Sequence, residues 1–390
     1  MNLAFLLTAV LAVAVAGGIV FYGLVMAAAW SFQREEASIP QRDDARTPDP
    51  ISVLKPLSGP EPELEANLRT FFELRYPQFE LLFAVREDSD PAAAVVRRLQ
   101  AEFPRVSSEL TVTGEPPSPE FPNAKVFSLI AMARKARHPI VVISDSDIRA
   151  GAGYLEGIAA DFAVENVVVS TCPYRAVPGR RFWSLLEALG MDTEFWGGVL
   201  VARMLGGMDF AVGPTMAVRR SFLDRIGGFE RVREYLAEDF VLGRLAVENG
   251  FRAVLSHHVV EHRIGSQGFA ENFRHRLRWY RSTRRSRPLG YLGQLFTNPL
   301  PLALLVAALA AGSSWSLWLL GLTALFRFGA LLAVGPGVLS DRLTLRFAWL
   351  VPLQDVASFA VWCVAFFGNT IVWRDRRYKL LRDGRLRLLP

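Results

Sequence analysis

The chain has 390 residues, of which 51% are hydrophobic and 21% charged, and a formal net charge of +6, with a sequence pI of about 9.6 and a mean hydropathy of +0.22. That mixture excludes both a wholly water-facing enzyme and a chain built only of membrane spans; it fits a globular domain joined to membrane segments. The basic excess suits cytoplasmic loops and anionic lipid, and no nucleic-acid-binding module is visible.

Leu3 to Trp30 is almost uninterruptedly apolar, long enough to cross a hydrocarbon core of about 30 Å at about 1.5 Å per residue. No positive stretch precedes it and it is too long for a signal-peptide core, so it reads as an anchor that is kept. Arg34, Arg42 and Arg46 follow, which places the N-terminus outside and the next domain in the cytoplasm. Residues 31–50, with Pro40, Pro48 and Pro50, read as a linker.

Strand and helix signals then alternate. Ile51–Leu54 is a short strand and Pro60–Glu61 opens a helix that fades by Arg75, before Tyr76–Pro77. Phe79–Val85 is an apolar strand, Pro91 starts a helix to about Phe103, and Leu110–Val112 offers another strand. A helix over Ala124–Ala136 leads into the strand Ile140–Ile143. Such alternation predicts right-handed β-α-β units and a Rossmann-like, mostly parallel sheet, whose ligands lie beyond the carboxyl ends of the strands.

Asp88, Asp90, Asp145 and Asp147 all fall just beyond such ends. The pair Asp145 and Asp147 supplies hard oxygens for Mg²⁺ or Mn²⁺, and such a cation neutralises a diphosphate. Asp88 is the expected partner of a base or ribose, and Asp90, followed by Pro91, the expected helix cap. The loop Lys55-Pro56-Leu57 offers backbone groups to a nucleotide. Glu238-Asp239 opens a helical pattern between a glycine-rich segment and a basic one, where a base could meet a membrane acceptor.

From Arg274 to Arg287 the chain is densely basic, with Arg278-Trp279 combining a cation for a diphosphate with an aromatic anchor. Three apolar runs follow, Tyr291–Ala311, Trp315–Val334 and Phe347–Val372, each of membrane-spanning length. The break Asn298-Pro299-Leu300-Pro301 makes the first a candidate re-entrant segment, and Arg327 is expected to face protein or headgroups. The basic tail, from Arg374 to Arg387, is expected in the cytoplasm. His257, His258, His262 and His275 match no zinc spacing and read as structural. Cys172 and Cys363 are the only cysteines and show no C-x-x-C, which fits a reducing compartment.

These motifs resemble the inverting, lipid-directed glycosyltransferases of GT-A fold, and among them the ceramide glucosyltransferases of family 21. The likeness rests on Val53-Leu54-Lys55-Pro56-Leu57 with Glu65-Ala66-Asn67-Leu68, on Asp88, Lys125 and Asp145-Ser146-Asp147, on Leu236-Ala237-Glu238-Asp239-Phe240, and on Arg278-Trp279. The family motif that ends in Arg278-Trp279 begins with Gln or Arg, where this chain has His275.

The resemblance implies a UDP-sugar donor held by Lys55, Pro56, Leu57, Asp88, Lys125, Asp145, Arg278 and Trp279, with Asp145 and Asp147 on a divalent cation. It implies Asp239 as the base, with Glu238 and His275 supporting, and glucosyl transfer from UDP-glucose to ceramide. A hopanoid or other lipid acceptor with UDP-N-acetylglucosamine is the alternative of the same class, and an inactive sugar-nucleotide-binding membrane module that of another. The expected organisation is an anchor over 1–31, a cytoplasmic GT-A domain over 45–270, a basic interfacial helix over 271–290, membrane or re-entrant segments over 291–373, and a basic tail over 374–390. The expected location is a bacterial inner membrane. Oligomeric state is not readable from the sequence.

Overall fold

The computed structural model describes residues 3–37, 48–117, 121–373 and 376–389. Pro40, Arg42 and Arg46 of the expected linker and Arg374 of the expected tail lie outside them. In chain order the protein runs α1 (Leu3–Ala37), β1 (Ile51–Pro56), α2 (Leu64–Phe72), β2 (Phe79–Val85), α3 (Pro91–Glu102), β3 (Ser108–Val112), α4 (Ala124–Ala133), β4 (Ile140–Ser144), β5 (Ile148–Arg149), α5 (Tyr154–Asp161), β6 (Val167–Thr171) and β7 (Tyr174–Pro178). There follow α6 (Phe182–Gly190), a π-helical turn (Met191–Phe195), α7 (Trp196–Gly206), β8 (Thr215–Arg219), α8 (Arg220–Arg225), α9 (Glu238–Glu248), β9 (Arg252–Leu255) and β10 (Val260–Gly265). The last part holds α10 (Phe269–Ser286), α11 (Pro288–Gly293), α12 (Pro299–Leu309), α13 (Ser314–Leu332) running into a second π-helical turn (Ala333–Val338), α14 (Leu343–Arg346), α15 (Val351–Ala365), β11 (Thr370–Trp373), β12 (Arg376–Leu380) and β13 (Leu386–Leu388).

Contacts divide the chain into two compact units. The first is Pro40–Tyr174, Met208–Arg263 and Gly384–Pro390. Its seven-stranded sheet has the order β3-β2-β1-β4-β8-β6-β9. Pairings β1–β2, β2–β3, β1–β4 and β6–β9 are parallel, while β8 runs antiparallel to both β4 and β6. This is the α/β, GT-A-type, mostly parallel sheet that the alternation predicts. Strands β1, β4 and β6 are buried at every position, which explains why they read as continuous apolar runs and not as alternating ones. Fully burying each Val, Leu or Ile contributes roughly 1.5–3 kcal/mol. Asp90 caps α3 through Ala92 N at 2.9 Å, with Pro91 in the first turn. Asn123 caps α4 through Lys125 N and Val126 N. Both helix starts are thereby fixed beside the strand ends.

The second unit is Met1–Ile39, Arg175–Gly207 and Ile264–Asp383. The expected 45–270 domain is therefore interrupted: residues 175–207 pack with the helices, where Leu186 and Leu189 bury against Leu350. Among the described residues three helices are long and apolar enough to cross a membrane, Leu3–Glu35, Ser314–Val338 and Ala348–Ala365. The pair Pro288–Thr297 and Pro299–Leu309 passes that test together but is bent by 58°, at the Asn298-Pro299 break. Tyr22 Oη donates to Thr297 O at 3.2 Å, Gly18 abuts Pro299, and Val15 packs with Leu302, Ala303 and Val306. That falling-against-rising register makes α12 antiparallel to α1. Gly23 abuts Phe326, Met26 abuts Gly329, and Gln33 Nε2 donates to Gly337 O, so α13 runs parallel to α1.

The third apolar run is shorter as a helix than its sequence. Arg281 donates to Phe367 O and Thr370 O, and Arg284 to Phe366 O and Gly368 O, satisfying carbonyls of the turn that follows α15. Gly368 takes a φ of +75°, and the chain continues as the antiparallel β11–β12 hairpin. Much of the basic face of α10 is thus committed to this helix end. Arg327 is buried against protein, as expected.

Candidate active site

The sheet places Asp145-Ser146-Asp147 directly after β4. Asp145 N donates to Pro214 O at 2.9 Å, which ties this turn to the loop before β8. Beneath it lies Lys55, fully buried, with Nζ 2.6 Å from Asp145 O, 3.2 Å from Ser144 Oγ and 3.8 Å from the centre of the Phe71 ring. Burial pushes its ammonium down to about 7, against the charges of Asp147 and Asp145. Lys55 is therefore a buried hydrogen-bond donor under the acidic turn and not an exposed loop donor. Pro56 ends a wholly buried strand, and Leu57 N bonds Ala84 O at 2.8 Å. Asn67, from the segment that carries the likeness near α2, donates to Ser146 O at 3.3 Å and accepts from Arg149 Nε at 2.8 Å, bracing the same turn.

Lys125 joins the second acidic motif to the third. Its Nζ is 2.8 Å from Asp145 Oδ1 and 2.8 Å from Glu238 Oε1. Burial works against its charge, but the two carboxylates hold Lys125 well above the ordinary lysine range. Asp145 is held above the usual carboxylate range by burial, which Lys125 only partly offsets. Glu238, at the start of α9, also receives Asn123 Nδ2 at 3.3 Å, and that amide donates to Tyr235 O at 2.7 Å as well. Asp239 beside it is partly exposed. Burial, then the charge of Glu238, push its carboxyl up to about 7. A Cβ at Gly213 would lie 2.8 Å from Asp239 Oδ2, so the glycine keeps that side of the carboxylate open.

Asp147 has a partner that the sequence reading set aside. Antiparallel pairing of β10 with β5 puts His262 opposite Ile148, and His262 Nε2 lies 3.1 Å from Asp147 Oδ2. Asp147 O accepts from Arg263 N at 2.8 Å. Despite burial, His262 and Lys55 hold Asp147 below the usual carboxylate range. The available signal was the strand's alternating burial over Val260–Gly265, which turns His262 inward; histidine spacing alone missed it.

Asp147 Oδ1 is buried without a hydrogen-bond partner. An oxygen lacking a donor, next to a second carboxylate and an imidazole, suits a hard divalent cation. Among the described residues no three His, Cys, Asp or Glu side chains already converge on a metal geometry. Binding would therefore draw Asp145, Asp147 and His262 together.

The remaining expected residues separate into two groups. Asp88 is largely exposed and paired with Arg97, while Asp90 also accepts from Gly59 N at 3.0 Å and so ties the β1 and β2 loops together. His275, Arg278 and Trp279 belong to the helical unit. There His275 Nδ1 is 2.8 Å from the buried Glu187 Oε1, whose other oxygen accepts from Asn272 at 2.6 Å. The His275 ring packs on Trp279 at 4.4 Å, and the Arg278 guanidinium lies 5.9 Å from the centre of the Trp373 ring.

One unit thus carries paired acids at the end of β4 and a raised carboxyl at the start of α9, and the chain also holds helices of membrane-spanning length. Residues 9–386 match the model of glycosyl transferase family 21, and the chain belongs to that family. It is similar to ceramide glucosyltransferase 1 of Caenorhabditis elegans, 29% identical over 353 residues that cover 87% of this chain and 74% of that protein. Ceramide glucosyltransferase 3 of the same organism is 28% identical over 220 residues, 56% of this chain and 46% of its own length. Among solved structures, the mannosyltransferase PcManGT from Pyrobaculum calidifontis in complex with GDP-Man and Mn²⁺ aligns with 92% of this chain and 97% of its own, with a TM-score of 0.48 and 19% identity.

Proposed function

We propose that the protein transfers glucose from UDP-glucose to the primary hydroxyl of ceramide, with inversion, at the cytoplasmic surface of the bilayer that its apolar helices occupy. The observation that carries this reading is the contrast between Asp239 and its neighbours. Asp145 and Glu238 share Lys125, and Asp147 meets His262, whereas Asp239 is partly open with its carboxyl raised to about 7. A base works best with a pKa near the operating pH.

Asp239 takes the proton of the lipid hydroxyl as that oxygen forms its bond to the anomeric carbon. The bond from that carbon to the diphosphate oxygen breaks on the opposite face, and its electron pair leaves with UDP. A single displacement of this kind inverts the anomeric centre. Asp145 and Asp147, with His262, would hold Mn²⁺ or Mg²⁺, whose charge when bound offsets that of the diphosphate. Lys125 keeps the acidic turn and the start of α9 at a fixed separation, so donor and base are positioned together.

Purified full-length protein in detergent, offered UDP-glucose or UDP-N-acetylglucosamine with ceramide or a hopanoid, tests the reading by mass spectrometry of the lipids. Glucosylceramide is the expected product. A glycosylated hopanoid without glucosylceramide would move the acceptor, and no transfer or UDP release with any pair would refute the enzyme itself.

A further inference from the structure

Inside the helical unit lies a polar cluster that draws on the apolar helices α13 and α15, the residue before α12, the basic α10 and the turn between α6 and α7. Its centre is Glu194, in the π-helical turn between α6 and α7. Glu194 Oε1 accepts from Asn298 Nδ2 at 2.7 Å and from Tyr280 Oη at 3.3 Å, and Oε2 accepts from Ser358 Oγ at 2.7 Å. Ser358 Oγ in turn accepts from Gln354 Nε2 at 2.9 Å and from Arg276 Nη2 at 3.4 Å. One residue earlier, Thr193 Oγ1 accepts from Arg327 at 2.8 Å, and Arg327 grips Asp355 with two bonds of 2.8 and 2.9 Å. Ionisable groups in membrane-type helices, and π-helical turns, both concentrate at functional sites.

What the cluster lacks is specific. Gln354 and Asn298 are buried, and the carbonyl oxygens Gln354 Oε1 and Asn298 Oδ1 have no hydrogen-bond partner among the described residues. Their orientation follows from the network. The Ser358 proton goes to Glu194, so Gln354 must turn its amide NH₂ to Ser358. Asn298 must likewise turn its NH₂ to the Glu194 carboxylate. Asn298 precedes α12 but makes no side-chain cap, and Pro301, at the third helical position, removes one of the two N–H groups a cap there would serve. The formal charges within the network balance, Arg276 and Arg327 against Glu194 and Asp355. The missing partners are therefore hydrogen-bond donors and not ions. The same two helices expose Leu304, Leu305 and Leu309, and Leu353, Val356 and Val364, an apolar surface suited to acyl chains.

We propose that this cluster seats the polar head of the acceptor lipid, an uncharged lipid that presents hydroxyl and amide N–H donors to Gln354 Oε1 and Asn298 Oδ1. The proposal rests on the lipid-acceptor reading above and adds the acceptor's site to it. It is tested on the full chain in phosphatidylcholine nanodiscs with two diazirine-bearing probes, an N-acyl sphingosine and a diacylglycerol, without sugar nucleotide. Peptide mass spectrometry should place the sphingosine label on 186–198, 294–303 or 350–362, with competition by unlabelled ceramide and none by phosphatidylglycerol. Gln354→Met, nearly isosteric, should raise the KM for ceramide by ~5–10-fold and leave the KM for UDP-glucose and kcat close to wild type. Label confined to other segments overturns the proposal, even if Gln354→Met fails to fold. An unchanged ceramide KM in folded Gln354→Met also overturns it, because the orphan oxygens would then be served by water alone. Labelling at the cluster by a chain that transfers no sugar would refute the proposed function and leave the lipid site standing. Transfer with labelling elsewhere would do the reverse.

Discussion

Lys125→Met is the most direct perturbation of the site. The lysine is 12% exposed at its side chain and bridges Asp145 and Glu238 at 2.8 Å each. Its removal leaves the buried Glu238 and the half-buried Asp145 without their shared cation. Losing one partner of a buried ion pair costs about 3–5 kcal/mol, which for a domain of this size lowers Tm by ~6–20 °C. The sign with pH follows from the groups left behind. Asp145 is raised by burial even with Lys125 beside it, so without that cation the folded state is penalised as pH rises through the unfolded carboxylate range toward the raised pKa. Wild-type Lys125, with its pKa raised in the folded state, contributes fully below the ordinary lysine value and loses that contribution only as pH climbs through the raised one. The deficit should therefore be smaller at pH 5 than at pH 8. Differential scanning fluorimetry of the purified protein across that window measures it. A Tm within 2 °C of wild type at both pH values would show that the bridge does not hold the two motifs together.

Asp239→Asn should lower kcat by ~10²–10⁴-fold with the KM for the UDP-sugar nearly kept, and the wild-type rate should rise with pH through about 7, as Asp239 loses its proton, a limb the variant lacks; a parallel loss of donor affinity would reassign the residue to binding. EDTA should stop transfer and Mn²⁺ or Mg²⁺ restore it, and His262→Ala should weaken Mn²⁺ binding, read by electron paramagnetic resonance, by ~10-fold or more; equal Mn²⁺ affinity would remove His262 from the site. Deleting residues 384–390 should reduce kcat, because Leu386 N bonds Glu234 O at 2.6 Å and Arg385 pairs with Glu234 at 3.2 Å just before Glu238-Asp239; unchanged turnover would make the strap dispensable. In a Cys363→Ser background, Ser313→Cys should react with impermeant maleimide from the face where α1 begins, since α12 and α13 form a hairpin antiparallel and then parallel to α1, and reaction from the opposite face would support the re-entrant reading of Tyr291–Ala311.

The strands and helices up to Ile143 are legible because each half of the signal is local: apolar runs for β1, β2 and β4, a Pro after Asp90 for α3. The second half of the sheet is not. Antiparallel β8 is flanked by β4 and β6, whose nearest paired residues, Ser144 with Thr215 and Thr171 with Met216, lie 71 and 45 positions apart, and nothing local tells an inserted antiparallel strand from a parallel one. Phe347–Val372 reads as one apolar run of membrane-spanning length, and Ala348–Ala365 keeps that length; hydropathy does not register the strand that starts at Thr370 or the carbonyls that Arg281 and Arg284 serve from many residues earlier. At the site, the acids were visible as strand-end carboxylates. Their division of labour was not, since it is set by Lys55, Lys125 and His262, which reach them from β1, α4 and β10.

That division gives the site its chemical order. Three cations or potential cations are assigned to the acids around the turn: Lys55 under the backbone of Asp145, Lys125 between Asp145 and Glu238, and His262 on Asp147. Each fixes a position by charge-assisted bonds in an enclosed setting, where an unpaired charge is costly. The groups left under-served are Asp147 Oδ1, without a donor, and Asp239, without a cation of its own and with room provided by Gly213. Strain-free side chains could have satisfied both; an asparagine donor beside Asp147 or an alanine at 213 would close them. The cost of leaving them open is offset only when something arrives, positive charge at the first and a proton at the second. In the proposed reaction a donor diphosphate with its counter-ion and an acceptor hydroxyl would supply those two things at once, so the reading rests on the unsatisfied groups more than on the satisfied ones.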